Sequence, residues 1–279
     1  MIRQDRETLT VLYIMVWLNV IMVRFEFLCM ITILRSPRNF FVRSWTASLP
    51  TRCIRHGSSS RCMSSVLASI EPLQNDYYAL RHGQSMANVA QIIASNPDIA
   101  TKKYGLSDLG KEQATKASRK VVQEFQSKNY DGILILSSDL LRAKETAEIV
   151  SLALEDTSFN LYSNSVVVEK RLRERGFGAW DGGSDKHYFD VWIDDAKDPN
   201  HEVNGVESVV AVTERATAMI ADWDQKVKNY MVICVAHGDV LQILQTAFAK
   251  IDGSLHRTLP HLETASLRQL IMESQTPKL

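Results

Sequence analysis

Two histidines, two arginines and a glutamate stand where apolar runs of this chain end. "DYYALR" closes on Arg81 and is followed by His82 and Gly83; "GILILSS" precedes Arg142, one turn into the next segment. "SVVVEK" leads within a few residues to Glu174, and "YMVICVAHG" closes on His237 and Gly238. These groups suit phosphoryl transfer. A neutral imidazole can attack phosphorus and hold the phosphoryl group, splitting one hard displacement into two easier ones. Two guanidiniums can grip the equatorial oxygens and neutralise the charge spread over them in the transition state. A second histidine adds a donor, and a carboxylic acid can protonate the leaving alcohol and later deprotonate the attacking water. Such a cationic cage needs no metal or other cofactor.

For these groups to meet, the runs must be strands of one sheet. From Asn75 onward, short apolar runs alternate with stretches of helical period. "DYYALR", "GILILSS", "SVVVEK", "YMVICVAHG" and "TASLRQLIM" read as strands. "SMANVAQIIA", "DLGKEQATKASRKVVQEFQSK", "DLLRAKETAEIVSLAL", "ESVVAVTERATAMIADWDQKV" and "VLQILQTAFA" read as helices, the second capped by Ser107 and weakened in its first turn by Gly110. Between Arg171 and Asn204 the periodicity is lost, which predicts a long loop with one short helix near Tyr188 to Ala196. The fold class expected is α/β, a three-layer sandwich with a mostly parallel central sheet and helices on both faces. In such sheets ligands sit outside the carboxyl ends of the strands, where the candidate residues fall.

Composition divides the chain. Residues 1–70 hold nine Lys/Arg against three Asp/Glu, net +6, so the remainder of this formally neutral chain is net −6. An acidic folded part argues against a nucleic-acid surface. Phe27 to Ile70 contains six arginines, many serines and no acid, the composition of a transit peptide. Residues 1–70 are therefore read as a basic leader, a targeting segment without fixed structure, and residues 71–279 as the working domain. The leader implies an organelle, chloroplast or mitochondrion, or the cytoplasm if translation starts at Met63. The apolar run from Val11 to Val23 spans 13 residues, short of the roughly 20 a membrane span requires, although a signal anchor stays open. A second Arg-His-Gly triplet, in "IRHGSSS", lies in the leader with no strand before it and reads as chance. The four cysteines show neither a disulfide framework nor a metal-ligand spacing. No P-loop is present, and the oligomeric state has no signature.

The ordered segments "LRHGQSMAN", "LSDLGKEQA", "SSDLLRAKETA", "LRERGFGAWDG", "GVESV" and "VAHGDV" resemble the successive motifs of the histidine phosphatase superfamily, in its phosphoglycerate mutase-like branch. The resemblance runs from about Tyr77 to Gln245. It implies a phosphoric monoester hydrolase of the histidine acid type, acting on a small phosphorylated molecule. It also implies roles: His82 as nucleophile, Arg81 and Arg142 as phosphate clamps, His237 as the second cage histidine and Glu174 as proton donor. Asn88 and Gly238 match positions that accompany the first and second histidines and are carried over as phosphate-binding.

Ordinary structural readings compete with these. His82 could be a hydrogen-bonded loop residue, and Arg142 a surface arginine paired with Glu145 or Glu148. Glu169 and Asp181 compete with Glu174, although Asp181 could simply cap the Trp-Asp-Gly turn. Trp180 reads as packing; Gln84, Ser85 and Ser138 could touch phosphate or cap helices. Mutases of the family typically follow the acid with His-Tyr-Gly and carry a long insertion. Here Glu174 is followed by "RGFGAWDG", and His237 comes 63 positions later, which favours water as acceptor. Asp181, Asp185, Asp190, Asp194 and Asp195, against Lys186 and His187, further predict an acid-rimmed site that repels polyanions. A cofactor-dependent phosphoglycerate mutase and a non-catalytic phosphate-binding module are the alternatives.

Overall fold

A computed structural model describes residues 72–155, 157 and 159–273; the leader expected over 1–70, with its "IRHGSSS" triplet, lies outside them. Five strands form one sheet: β1 (Asp76–Arg81), β2 (Gly132–Ser137), β3 (Val167–Val168), β4 (Tyr230–Ala236) and β5 (Leu267–Leu270). Their spatial order is β3-β2-β4-β1-β5, with β5 alone antiparallel. The continuous apolar runs of β2 and β4 occupy the interior, as expected of strands covered on both faces.

Alternation along the strands feeds two cores. Tyr77, Ala79, Leu134, Leu136, Val232 and Cys234 pack against α6 (Val209–Asp224) and α7 (Gly238–Phe248). Tyr78, Leu80, Ile133, Ile135, Met231 and Ile233 pack against α3 (Asp108–Gln126) and α4 (Leu141–Glu155) on the other face. The result is the three-layer α/β arrangement expected. Burial on this scale drives the fold, at roughly 25 cal/mol per Å² of apolar surface. Among the described residues no helix is long and apolar enough to cross a membrane.

Registry carries the functional consequence. β4 inserts between β1 and β2, pairing Arg81 with Ala236 and Ser137 with Val235, so the three strands end level with one another. The His82 N–H then donates to the Ala236 carbonyl (3.0 Å) and the Ser138 N–H to that of Val235 (3.0 Å). Loops bearing His82, Ser138 and His237 thus leave the sheet side by side.

Several elements are shorter than their sequence suggests. The first helix, α1 (Met86–Ala90), stops because Gln91 turns left-handed at φ 55° and Ile93 is taken into pairing with Gly182 and Gly183. A one-turn helix, α2 (Pro97–Ala100), follows it. β3 is reduced to two residues because Glu169 caps the turn that follows, its carboxylate accepting from the Arg171 N–H. The segment read as a long loop contains α5 (Tyr188–Lys197), close to its expected place, and short turns at Lys170–Leu172, Gly178–Trp180 and Asp185–His187. Gly110 is set directly on the first motif: a Cβ there would lie 2.1 Å from the Gln84 carbonyl oxygen, and one on Gly83 would lie 2.4 Å from that of Gly110. Glycine at both positions lets α3 begin against the His82 loop, while Ser107 supplies the expected cap to the Gly110 N–H.

Candidate active site

His82 is buried at the end of β1. Its Nδ1 lies 2.7 Å from the Gly83 carbonyl, which can only accept, so Nδ1 carries the hydrogen. Nε2 is therefore the lone-pair nitrogen, and it accepts from Arg142 Nε at 3.1 Å. Gly83 is held in turn by its N–H to Thr146 Oγ1 (3.1 Å). Burial, with Arg142 and Arg81 beside it, holds the His82 imidazole well below its ordinary pKa. A neutral ring with a directed lone pair is the form a nucleophile requires.

Arg142 is 4% exposed and points inward from the first turn of α4, leaving Glu145 to accept from the Leu106 N–H and Glu148 to pair with Lys144. The surface-pair reading of Arg142 is thereby excluded. His237 caps β4 with its ring 5.1 Å from that of His82, centroid to centroid. Its Nε2 meets Ser138 Oγ at 2.9 Å, and Ser138 already accepts from the Leu140 N–H. His237 Nδ1 is buried without a hydrogen-bond partner. Burial, then Arg142 and His82, depress its pKa as well. Arg81 reaches across β4's end, its Nη1 donating to the Leu262 carbonyl (2.8 Å) and lying 2.9 Å from His261 Nε2. Arg81 Nε, Arg142 Nη1 and His237 Nδ1 are buried without a hydrogen-bond partner.

Glu174 faces the same cavity, 9% exposed. Burial and then the like charge of Asp239 push its carboxyl up to about 7, against the opposing pull of Arg142. Its position is set by arginines on either side. Arg173 forks onto Asp139 (2.7 and 2.5 Å), and fully buried Arg175 forks onto Asp195 (2.7 and 2.7 Å) while its own N–H donates to Glu174 Oε1 (3.0 Å). The acid is thus strung between the β2–α4 loop and α5. Glu169 and Asp181 are placed elsewhere. Glu169 is gripped by Arg171 (2.7 and 2.9 Å), and Asp181 Oδ1 accepts from Ser95 N, Ser95 Oγ and Asn96 N.

Arg81, His82, Asn88, Arg142, Glu174 and Gly238 line one cavity; His237 is not in its lining, and its ring lies 5.1 Å from that of His82. Asn88 Oδ1 is occupied by Ser85 N (3.0 Å) and Ser85 Oγ (2.9 Å), so its oxygen serves the capping of α1. Gly238 opens α7 against the Arg81 guanidinium, where even a Cβ would only touch Cζ, at 3.5 Å. Ser85 and Gln84 serve as cap and loop contact, and Trp180 stacks on His187 at 4.0 Å.

The expectation of an acid rim is overturned. None of the five aspartates lines the cavity: Asp195 is spent on Arg175, Asp181 on Ser95, Asp190 on His187 and Asp194 on Lys197. Clustering in sequence did not become clustering in space: α5 carries Asp190, Asp194 and Asp195 to separate partners, and Asp181 turns to Ser95 from the loop before it. The cavity is lined besides by Tyr188, Trp192, Asp239, Arg257 and His261. Sequence reasoning missed these residues. Asp239 was within reach, directly after His237-Gly238, but Arg257 and His261 lie in a stretch without periodicity. Among the described residues no group of His, Cys, Asp or Glu is placed to hold a metal ion.

Residues 77–279 match the model of the histidine phosphatase superfamily (branch 1), and the chain belongs to that family. Over 210 residues it is 28% identical to a Hydrogenobacter thermophilus protein named "Putative phosphoserine phosphatase 2", covering 72% of this chain and 92% of that one. It is 27% identical to the Bacillus subtilis "Uncharacterized phosphatase PhoE", covering 64% and 80%. Among solved structures, a mycobacterial glucosyl-3-phosphoglycerate phosphatase in complex with VO3 superposes with a TM-score of 0.54 at 28% identity, covering 70% of this chain and 91% of the other.

Proposed function

We propose that this protein is a metal-independent phosphomonoester hydrolase that acts on a small phosphorylated metabolite through a phosphohistidine on His82. One observation carries the reading: Arg81, Arg142 and His237, the residues beside His82, each hold a buried nitrogen (Nε, Nη1 and Nδ1) without a partner. Buried polar groups left unpaired are costly, about 1–3 kcal/mol each, and an anion seated among these would satisfy them. The phosphatase names of the relatives support the same reading.

In the first step His82 Nε2 attacks phosphorus, the ester P–O bond breaks, and the Glu174 proton passes to the departing oxygen to give a neutral alcohol. In the second, Glu174 as carboxylate removes a proton from water, the oxygen attacks phosphorus, the P–N bond breaks and inorganic phosphate leaves. Arg81, Arg142 and His237 hold the equatorial oxygens throughout. A carboxyl poised near neutrality can fill both roles. Water as acceptor rests on the short stretch between Glu174 and His237, without a His-Tyr-Gly pattern, and on the relatives' names. The acid-rim argument no longer contributes.

Rapid quenching with a 32P-labelled phosphomonoester tests the mechanism. Acid-labile, alkali-stable label should appear on His82 and be absent from the His82→Ala variant, which should also release no phosphate. Full turnover by that variant would overturn the proposal. Phosphoryl transfer to phosphoglycerate in place of phosphate release would favour a mutase.

A further inference from the structure

A water molecule has two hydrogens, and the proposed second step removes one of them. The other can aim the attacking oxygen, provided that the cavity offers it an acceptor. Most side-chain acceptors of the lining are already taken. Asn88 Oδ1 holds Ser85 N and Ser85 Oγ, and Ser85 Oγ itself accepts from the Asn88 N–H. The two Asp239 oxygens share the Trp192 Nε1–H at 3.0 and 3.2 Å, with Arg257 and Arg175 at 3.8 and 3.5 Å. His261 Nε2 lies 2.9 Å from Arg81 Nη1, which can only donate, so its lone pair is occupied too. Tyr188 differs: it lines the same cavity as His82, Arg142 and Glu174, and its hydroxyl makes no hydrogen bond to a described residue.

The Tyr188 ring is held from two directions. Phe177, fully buried on the loop that follows Glu174, meets it edge-on with centroids 4.8 Å apart. Trp192, one turn further along α5, stacks on it at 5.6 Å and 12°, and that indole is oriented by Asp239 in the first turn of α7. The ring is therefore packed while its polar tip is unpaired, an arrangement in which a tyrosine is ready to meet a ligand. Burial first, and then the charge of Glu174, hold the hydroxyl above its ordinary pKa against the pull of Arg142. Its oxygen accordingly stays a neutral acceptor while Glu174 changes charge.

Building on the phosphohydrolase reading, we propose that Tyr188 is a catalytic residue of the hydrolytic step, its hydroxyl oxygen accepting the second hydrogen of the water that Glu174 deprotonates. One water proton passes to Glu174, the water oxygen forms the new P–O bond, and the P–N bond to His82 breaks. The hydrogen that points at Tyr188 stays on that oxygen and leaves with inorganic phosphate, so Tyr188 neither gains nor loses a proton. Methanol has a methyl group in place of that second hydrogen, and its attack on the phosphohistidine uses Glu174 alone.

The full chain and its Tyr188→Phe variant, which keeps the ring and its contacts, would be given 32P-labelled p-nitrophenyl phosphate with and without methanol. Rapid quenching follows the formation and decay of label on His82, and the ratio of methyl phosphate to inorganic phosphate is read from the products. In Tyr188→Phe we expect label to form at a rate within about threefold of the unaltered protein and to decay to inorganic phosphate about tenfold more slowly or worse, with the methyl phosphate ratio rising by about tenfold. A ratio unchanged by the substitution would overturn the inference. So would equal slowing of formation and decay, or a variant that does not fold, either of which would make the hydroxyl a structural group. Label on His82 in the unaltered protein separates the two proposals. With label present, an unchanged ratio removes only the role of Tyr188; phosphate release without label removes the phosphohistidine reading and the role of Tyr188 with it.

Discussion

Replacing Glu174 with glutamine, which keeps the shape and an acceptor for the Arg175 N–H, removes the one carboxyl in the cavity that is held protonated near neutrality. Its pKa is raised from the ordinary 4.5 to about 7 by burial first and by Asp239 second. At about 1.4 kcal/mol per pH unit, that displacement amounts to about 3 kcal/mol. The sign follows from proton binding. Between pH 4.5 and 7 the folded protein retains a proton that the unfolded chain has lost, so stability due to this group is full below about 4.5, falls across that window and is level above it. The variant has no such slope. Urea midpoints at pH 5 and pH 8 should therefore show Glu174→Gln gaining on the unaltered protein by about 2 to 3 kcal/mol between the two pH values, whatever its constant difference. The same substitution should cut hydrolysis of alkyl phosphates by about 10²- to 10⁴-fold, the usual contribution of a general acid and base. A stability difference identical at both pH values would refute the account of a buried, like-charge-raised acid. A variant with normal turnover would refute its role.

Three further outcomes are expected. Dialysis against EDTA should leave phosphate release unchanged, because arginines and histidines surround the anion; a loss restored by added metal would count against that. Gly83→Ala forces a Cβ toward the Gly110 carbonyl oxygen, to 2.4 Å, and should lower stability by about 1–3 kcal/mol and impair turnover, read from thermal unfolding and kcat. Asp195→Asn takes the bidentate carboxylate from buried Arg175 and leaves it Asp239 at 3.5 Å as its remaining acid; it should cost about 3 kcal/mol in urea unfolding, with Glu174 loosened as a consequence.

The strands that carry the site were legible because their signals are local. Continuous apolar runs such as "GILILS" mark strands covered on both faces, and the groups that follow such runs fall at the ligand-binding edge of a parallel sheet. Ser107 as a cap follows equally from local hydrogen bonding. Gly110 read as a weak spot in a helix, and the tertiary structure gives it a reason, since only a glycine can lie against the Gln84 carbonyl. The aspartates around α5 read as a charged rim, yet Asp195 is buried on Arg175, because a carboxylate's surroundings depend on elements distant in the chain.

Residue types, the carboxyl ends of β1, β2 and β4 and the Ser107 cap were thus settled by the sequence, through interactions spanning a few residues. The insertion of β4 between β1 and β2, which brings the His82 and His237 rings to 5.1 Å, was decided only by the packing of two helical layers on one sheet. So was the placing of Arg257 and His261 in the lining of the same cavity. Both depend on contacts between segments far apart in the chain, and no local periodicity encodes those.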